Sequence, residues 1–270
     1  MTKIIDKDRF YYNPEFLGSA SGRSVRILSE YYGPLQRMQR KKISDTIVFF
    51  GSARILAREV AQDALDNAPK DSDKQSLKRL KMDLKMSRYY EDARTLAGKF
   101  TKWSKGLKGT KHRYIICSGG GPGIMEASNR GASEAGGVNV GLTISLPNES
   151  SGNKWISDDL DMKFHYFFMR KFWFLYLAKA LIVWPGGFGT LDELMELLTL
   201  IQTEKIKKRL PIVLYGKEFW EKVVNWDYLV DIGTISPEDL DLFHISDDIN
   251  DTFNYVTKFI ETNQLKGPNF

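Results

Sequence analysis

Three times in this sequence a short, continuous apolar run ends in a turn containing glycine and leads into a helical pattern. Thr46-Ile47-Val48-Phe49-Phe50 runs into Gly51-Ser52-Ala53-Arg54, Tyr114-Ile115-Ile116-Cys117 into Ser118-Gly119-Gly120-Gly121-Pro122-Gly123, and Ala180-Leu181-Ile182-Val183-Trp184 into Pro185-Gly186-Gly187-Phe188-Gly189-Thr190. Further strands are expected over Val138 to Ile144 and Leu210 to Tyr215. Strands without polar alternation have no solvent face, so their repetition between helices implies a parallel sheet covered on both sides. The expected fold class is α/β: a Rossmann-like, doubly wound parallel sheet with helices on both faces, an N-terminal helical arm and a long inserted helix. Ligands of such sheets sit beyond the carboxyl ends of the strands, where these turns lie.

Residues 1–45 read as the arm, with a helix from Ser24 whose Val25, Leu28, Tyr31, Tyr32 and Leu35 share one side. Residues 46–270 read as one Rossmann-like domain carrying an insertion over 69–111. Within the insertion, residues 72–104 form a helical pattern in which Ser72 or Asp73 can cap the start. Leu77, Leu80, Leu84, Tyr90, Ala93, Ala97 and Phe100 recur there at near-helical spacing. Charge follows the same division. The chain has 39 Lys and Arg against 34 Asp and Glu, a net +5, but residues 1–45 hold +4 and residues 70–113 hold +9, leaving −8 for everything else. The positive charge therefore sits on the appendages, where it reads as subunit or surface contacts rather than as part of a site.

A single cysteine, Cys117, excludes a disulfide-stapled scaffold and a cysteine-based zinc cluster, and makes a reducing cytoplasm the expected compartment. The start, Met1 to Arg9, carries charges where a signal peptide would be apolar. The most apolar run, Phe172 to Trp184, is 13 residues long and contains Lys179, too short and too polar to span a bilayer. No membrane partner is expected.

A glycine-rich turn opening a helix presents unpaired N–H groups and the positive end of the helix dipole, an anion site suited to phosphate. Glycine can also stand there only for its backbone angles. Two known fingerprints are missing. Ile124 and Glu126 occupy the positions where G-x-G-x-x-G would require glycine, and no G-x-x-x-x-G-K-[ST] occurs. Glu193, three residues after Thr190, fits a capping box, and fits equally a carboxylate placed to activate water beside a phosphate loop. Glu126, in the first turn after Gly123, has the same two readings. Arg170 and Lys171, ahead of an apolar helix expected over Phe172 to Ala178, face either solvent or a ligand, as does Arg54. His112, His165 and His244 are too scattered for a metal cluster, so no metal or other cofactor is expected. Without G-x-S-x-G, and with Cys117 inside a strand, no nucleophilic triad is expected either.

Taken together, these motifs resemble the LOG (Lonely Guy) family, often labelled "possible lysine decarboxylase". Pro185 to Glu193 is similar to its P-G-G-x-G-T-x-x-E signature, Phe50 to Arg54 to its first turn, Ser118 to Glu126 to its second, and Met169-Arg170-Lys171 to the segment carrying its catalytic arginine. The resemblance covers roughly residues 45 to 215, and longer members carry an N-terminal extension of this kind. It implies a Rossmann-like fold and hydrolysis of the N-glycosidic bond of a nucleoside 5′-monophosphate, AMP or a cytokinin riboside monophosphate, to free base and ribose 5-phosphate. On this reading Glu193 and Arg170 are catalytic and Gly186, Gly187, Gly189 and Thr190 hold the 5′-phosphate. Ser52, Arg54, Gly119, Gly120, Gly121, Gly123, Glu126, Met169 and Lys171 line the nucleotide. A homo-oligomer, a dimer or larger, is implied. Decarboxylation of lysine would need a lysine joined to pyridoxal phosphate, for which the sequence offers no recognisable site.

Two alternatives stay open. The same fold can serve a non-catalytic nucleotide or molybdenum-cofactor carrier, which needs the phosphate loops but no Glu and Arg pair. Nucleic-acid binding through the basic segments is the third reading, and it draws on residues outside all four motifs; nucleic acid is not an expected partner.

Overall fold

Five consecutive buried residues at Thr46–Phe50 form the central strand of the molecule, and the rest of the fold is arranged around it. The computed structural model describes residues 9–107, 112–145, 152–207, 209–263 and 269. The first eight residues of the arm and residues 108–111 of the insertion lie outside them. The strands are β1 (Thr46–Phe50), β2 (Ile115–Ser118), β3 (Asn139–Ile144), β4 (Asp161–Phe164), β5 (Ala178–Val183), β6 (Ile212–Tyr215) and β7 (His244–Ser246). The helices are α1 (Pro14–Gly18), α2 (Arg23–Arg40), α3 (Arg58–Asp66), α4 (Lys74–Gly106), α5 (Ile124–Glu134), α6 (Phe167–Tyr176), α7 (Phe188–Gln202), α8 (Lys217–Val223), α9 (Trp226–Asp231) and α10 (Ile249–Asn263).

All neighbouring strands are parallel, in the order β4-β3-β2-β1-β5-β6-β7. The chain winds outward from β1 to β4, returns past its start to β5, and winds outward again. That reversal makes the carboxyl ends of β1 and β5 the topological switch point, where doubly wound sheets bind ligands. Successive strand residues point to opposite faces. Phe49 accordingly meets Phe100 of α4, ring centroids 6.4 Å apart, while Phe50 meets Phe174 of α6 at 4.9 Å. Helices thus cover both faces, as the unbroken apolar strands require. Each fully buried side chain of this kind contributes roughly 1.5–3 kcal/mol.

Of the two candidate caps for α4, Asp73 is the one used: its Oδ1 accepts from the Ser76 N–H at 2.7 Å. Only the second half of this 33-residue helix is buried, from Ser87 to Ser104. Leu77, Leu80 and Leu84 remain partly exposed, so the first, lysine-rich half extends past the sheet it serves. Gly131 lets α5 press on the backbone of Arg94 in α4, since a Cβ there would overlap the Arg94 carbonyl oxygen.

Some boundaries differ from those the sequence suggests. α6 begins at Phe167, five residues ahead of the expected Phe172, and stops at Tyr176 because Ala178 and Lys179 belong to β5. Lys179 is fully buried and points to the amino end of the sheet, where Nζ meets Asp45 Oδ1 at 3.2 Å and donates to the Leu177 and Ala178 carbonyls. β4 and β7, the two edges, were not legible as apolar runs. In β4 only Met162 and Phe164 face inward, and β7 has three residues. No described helix is long and apolar enough to cross a membrane.

Candidate active site

The glycine turns after β1, β2 and β5 are bonded into one surface. The Ser52 N–H donates to Pro185 O at 3.0 Å, and the Ile124 N–H donates to Ser52 O at 3.1 Å. Ser52 thus joins the other two turns, while its hydroxyl accepts from the Arg54 N–H at 3.0 Å. Arg54 itself is exposed.

The turn after β2 is crowded. Gly120 and Gly123 have φ of +72° and +68°, a region where a Cβ is strained. A Cβ on Gly123 would overlap Ser52 O, one on Gly119 would stand 2.7 Å from Met125 Sδ, and one on Gly121 2.8 Å from Met125 Cε. Polar side chains hold this turn from below. The Gly120 N–H donates to Ser118 Oγ at 3.0 Å, Ser118 Oγ donates to Asn129 Oδ1 at 2.7 Å, and Asn153 Nδ2 donates to Gly120 O and Gly121 O at 3.1 Å each. A cavity of about 180 Å³ opens above it, lined by Ala53, Gly119 to Gly121, Met125, Thr143, Ile144, Lys163, Phe167 and Arg170. A larger hollow, about 480 Å³, lies at the amino end of the sheet beside Asp45 and Leu177, away from every motif.

Glu126 and Met169 are not on that lining. Glu126 accepts from Tyr90 Oη of α4 at 3.0 Å, and burial, the Arg130 hydrogen bond notwithstanding, pushes the Tyr90 hydroxyl up to about 12. Met169 is buried on the inner side of α6. Cys117 is likewise buried, which drives its thiol pKa upward and leaves it no nucleophile.

The turn after β5 is built differently. A Cβ added to Gly187 or Gly189 would meet nothing within 4 Å, and both residues are exposed. Only Gly186 is constrained, by the Thr190 side chain, which folds back beneath it. The helix α7 starts at Phe188, its N-cap is Gly187, and no side chain caps it. The capping box is therefore excluded. Thr190 and Glu193 are the third and sixth residues of the helix, not its cap and its return partner. The leading N–H groups of a helix have no intrahelical acceptor; the Thr190 N–H turns back to Gly187 O at 3.0 Å, while the space beside Gly187 and Gly189 is clear.

Glu193 is buried, 7% exposed, and its carboxyl is pushed up to about 7. Burial is the main cause; Lys171 and Arg170 pull the other way. Lys171 Nζ lies 2.8 Å from Asp192, 2.7 Å from Glu196 and 3.4 Å from Glu193. Burial lowers the Lys171 pKa, but the hydrogen bonds to Asp192 and Glu196 outweigh it and leave the ammonium more firmly charged than an ordinary lysine. Arg170, one residue earlier on α6, lies over the faces of Phe167 and Phe174 at 5.1 and 5.5 Å. It lines the cavity and acts electrostatically on Glu193. Sequence reasoning missed the lining residues Thr143, Lys163 and Phe167 and the carboxylates Asp192 and Glu196, none of which carries a motif of its own.

Among the described residues, no group of three or more His, Cys, Asp or Glu side chains is placed to hold a metal ion. Pyridoxal phosphate fits poorly. Lys171 is held protonated by three carboxylates, Lys179 is at the opposite end of β5, and Lys163 is exposed on the edge strand.

Residues 125–256, just under half of the chain, match the family described as "Possible lysine decarboxylase". No curated protein matches the sequence. Among solved structures the chain is similar to the molybdenum cofactor carrier protein from Chlamydomonas reinhardtii, at 17% identity over 80% of this chain and 99% of that one, with a TM-score of 0.43. It is also similar to TM1055, a structural-genomics protein, at 21% identity over 81% and 99% of the two chains, with a TM-score of 0.40.

Proposed function

We propose that this chain, whose resemblance to the LOG and possible lysine decarboxylase proteins is borne out by that family match, is a nucleoside 5′-monophosphate phosphoribohydrolase. The observation that carries the reading is Glu193: a buried carboxyl with a pKa of about 7, two turns into a helix whose uncapped start faces open space. A general base works best with its pKa near the working pH, and burial supplies that value here.

The 5′-phosphate lies on the N–H groups of Gly187, Phe188 and Gly189 and the Thr190 hydroxyl, where the helix dipole favours an anion. Glu193 faces the ribose. As the C1′–N bond lengthens, positive charge grows on the sugar and the ionised carboxylate stabilises it. Glu193 takes a proton from water, the water oxygen bonds to C1′, and the electron pair of the C1′–N bond leaves with the base, which takes up a proton from solvent as Glu193 returns its own. Arg170, fixed between two phenyl rings, stands on the cavity side, where the departing base collects negative charge. Lys171 holds Glu193 in place through the Asp192 and Glu196 cluster and does not itself line the nucleotide cavity.

A carrier that only binds a nucleotide or the molybdenum cofactor would use the same turns but gains nothing from a carboxylate buried at a cost, so Glu193 favours hydrolysis. Incubation with AMP and with isopentenyladenosine monophosphate should release free base and ribose 5-phosphate in equal amounts. Intact nucleotide across a panel of monophosphates, from a folded protein, would end this reading in favour of the carrier.

A further inference from the structure

The helix that carries Arg170 and Lys171 is held at its leading end by the N-terminal arm. Tyr166, the N-cap of α6, makes no side-chain cap bond. Its backbone is capped from another element: Glu30 of α2 accepts the His165 N–H on Oε1 at 2.7 Å and the Tyr166 N–H on Oε2 at 3.2 Å. The Glu30 main-chain carbonyl accepts the Trp173 indole N–H at 2.9 Å, nearly two turns further along α6. Arg26, one turn before Glu30, donates from Nε to Tyr166 Oη at 3.2 Å. A carboxylate bridging two N–H groups at a helix start satisfies donors that would otherwise be orphaned and sits at the positive end of the dipole.

These bonds fix more than the attachment of an arm. The Tyr166 carbonyl accepts the Arg170 N–H at 3.2 Å, so the residue that Glu30 clamps is bonded directly to the backbone of Arg170. The far end is secured separately, because Asn269 Nδ2 donates to Leu175 O at 2.6 Å and Ala178 O at 2.8 Å. Loss of the Glu30 carboxylate therefore loosens only the leading end, the one nearest Arg170, and leaves the Arg26 to Tyr166 bond and the main-chain bond to Trp173 in place.

We infer that Glu30 is a positioning residue for the site: by clamping the start of α6 it sets the aim of Arg170 at the substrate and at Glu193. The arm is then part of the catalytic apparatus rather than an appendage beside it. This inference rests on the proposed hydrolase reading for its effect on rate, but not for its effect on Glu193.

Both effects can be measured separately. Glu30→Ala removes the clamp; Glu30→Gln keeps the length and one good acceptor. In the nucleotide hydrolysis assay, Glu30→Ala is expected to lower kcat about tenfold with KM changed less than about threefold, because the phosphate turn is untouched. Glu30→Gln should fall between it and the wild type. The Glu193 carboxyl, followed by carbon-13 NMR without substrate and assigned with Glu193→Gln, should titrate about half a unit higher or more in Glu30→Ala, since Arg170 no longer opposes the effect of burial. The charged groups around that carboxyl are Arg170 and Lys171 from α6 and Asp192 and Glu196 from α7. A wild-type kcat together with an unmoved Glu193 titration in folded Glu30→Ala would overturn the inference; if Glu30→Ala fails to fold, the same result in Glu30→Gln does so. Should no variant, wild type included, hydrolyse any nucleotide, the hydrolase reading fails while the titration still decides the role of Glu30.

Discussion

The two glycine-rich turns look alike in the sequence and do opposite work in the fold. In the turn after β2, Gly119, Gly120, Gly121 and Gly123 are required by neighbours: positive φ at two of them and close approach by Met125, Thr143 and Ser52 O at all four. In the turn after β5, Gly187 and Gly189 answer to no protein atom within 4 Å of where a Cβ would stand. Glycine in the first case lets the protein pack against itself. In the second it leaves open space beside the start of α7. The acidic residue following each turn obeys the same division, Glu126 being tied to Tyr90 and Glu193 being buried without a cap to serve.

The comparison breaks most readily at the two carboxylates. Glu193→Gln should lower kcat by about 10²–10⁴, whereas Glu126→Gln should leave the rate within about threefold, both followed by release of free base. A second consequence of Glu193→Gln separates function from stability. A carboxyl raised from 4.5 to about 7 binds more protons folded than unfolded, so it costs stability progressively as pH rises through that window and fully above it. The glutamine variant should thus be more stable than wild type by about 1–3 kcal/mol at pH 8, with no such gain at pH 4. Chemical denaturation at the two pH values checks this.

Alanine at the glycines gives the next largest effect and the sharpest contrast. Gly123→Ala should destabilise the fold by about 1–3 kcal/mol, seen as a Tm lower by several degrees. Gly187→Ala should lower Tm less than Gly123→Ala, losing only the N-cap preference for glycine over alanine, and raise KM about tenfold or more by crowding the phosphate; Gly189→Ala should raise KM likewise while slightly stabilising α7. An unchanged KM in both would mean that the open space is simply solvent.

The smallest expected effect is on pH dependence. kcat should fall about tenfold per pH unit below about 7, as Glu193 takes up a proton. Lys171→Met, which removes one of the two cations opposing burial, should move that limb upward by up to about one unit.

Much of this organisation was legible in the sequence because burial on both faces leaves a plain mark. β1, β2, β3, β5 and β6 are buried along their whole length and largely apolar, and the turns that follow β1, β2 and β5 meet at one surface. What could not be read has a common cause: it depends on residues distant in sequence. β4 and β7 are short edges whose pairing is supplied by their neighbours. Glu193 fits a capping box by spacing, and only the position of Gly187 as N-cap excludes it. Glu126 follows its turn as closely as Glu193 follows the other, yet its partner lies 36 residues away on the inserted helix. Glu30 carries no motif at all; its significance is the start of α6, 135 residues later.

In the proposed reaction Glu193 performs chemistry on a nucleotide held by the turn after β5. Wild type and Glu193→Gln compared side by side with AMP test it most directly, with AMP binding measured by calorimetry and free adenine and ribose 5-phosphate by chromatography. Equal AMP affinity in the two proteins, stoichiometric adenine and ribose 5-phosphate from the wild type, and almost none from the variant are expected. Equal turnover by both proteins, or a wild type that binds AMP and returns it intact, would contradict it.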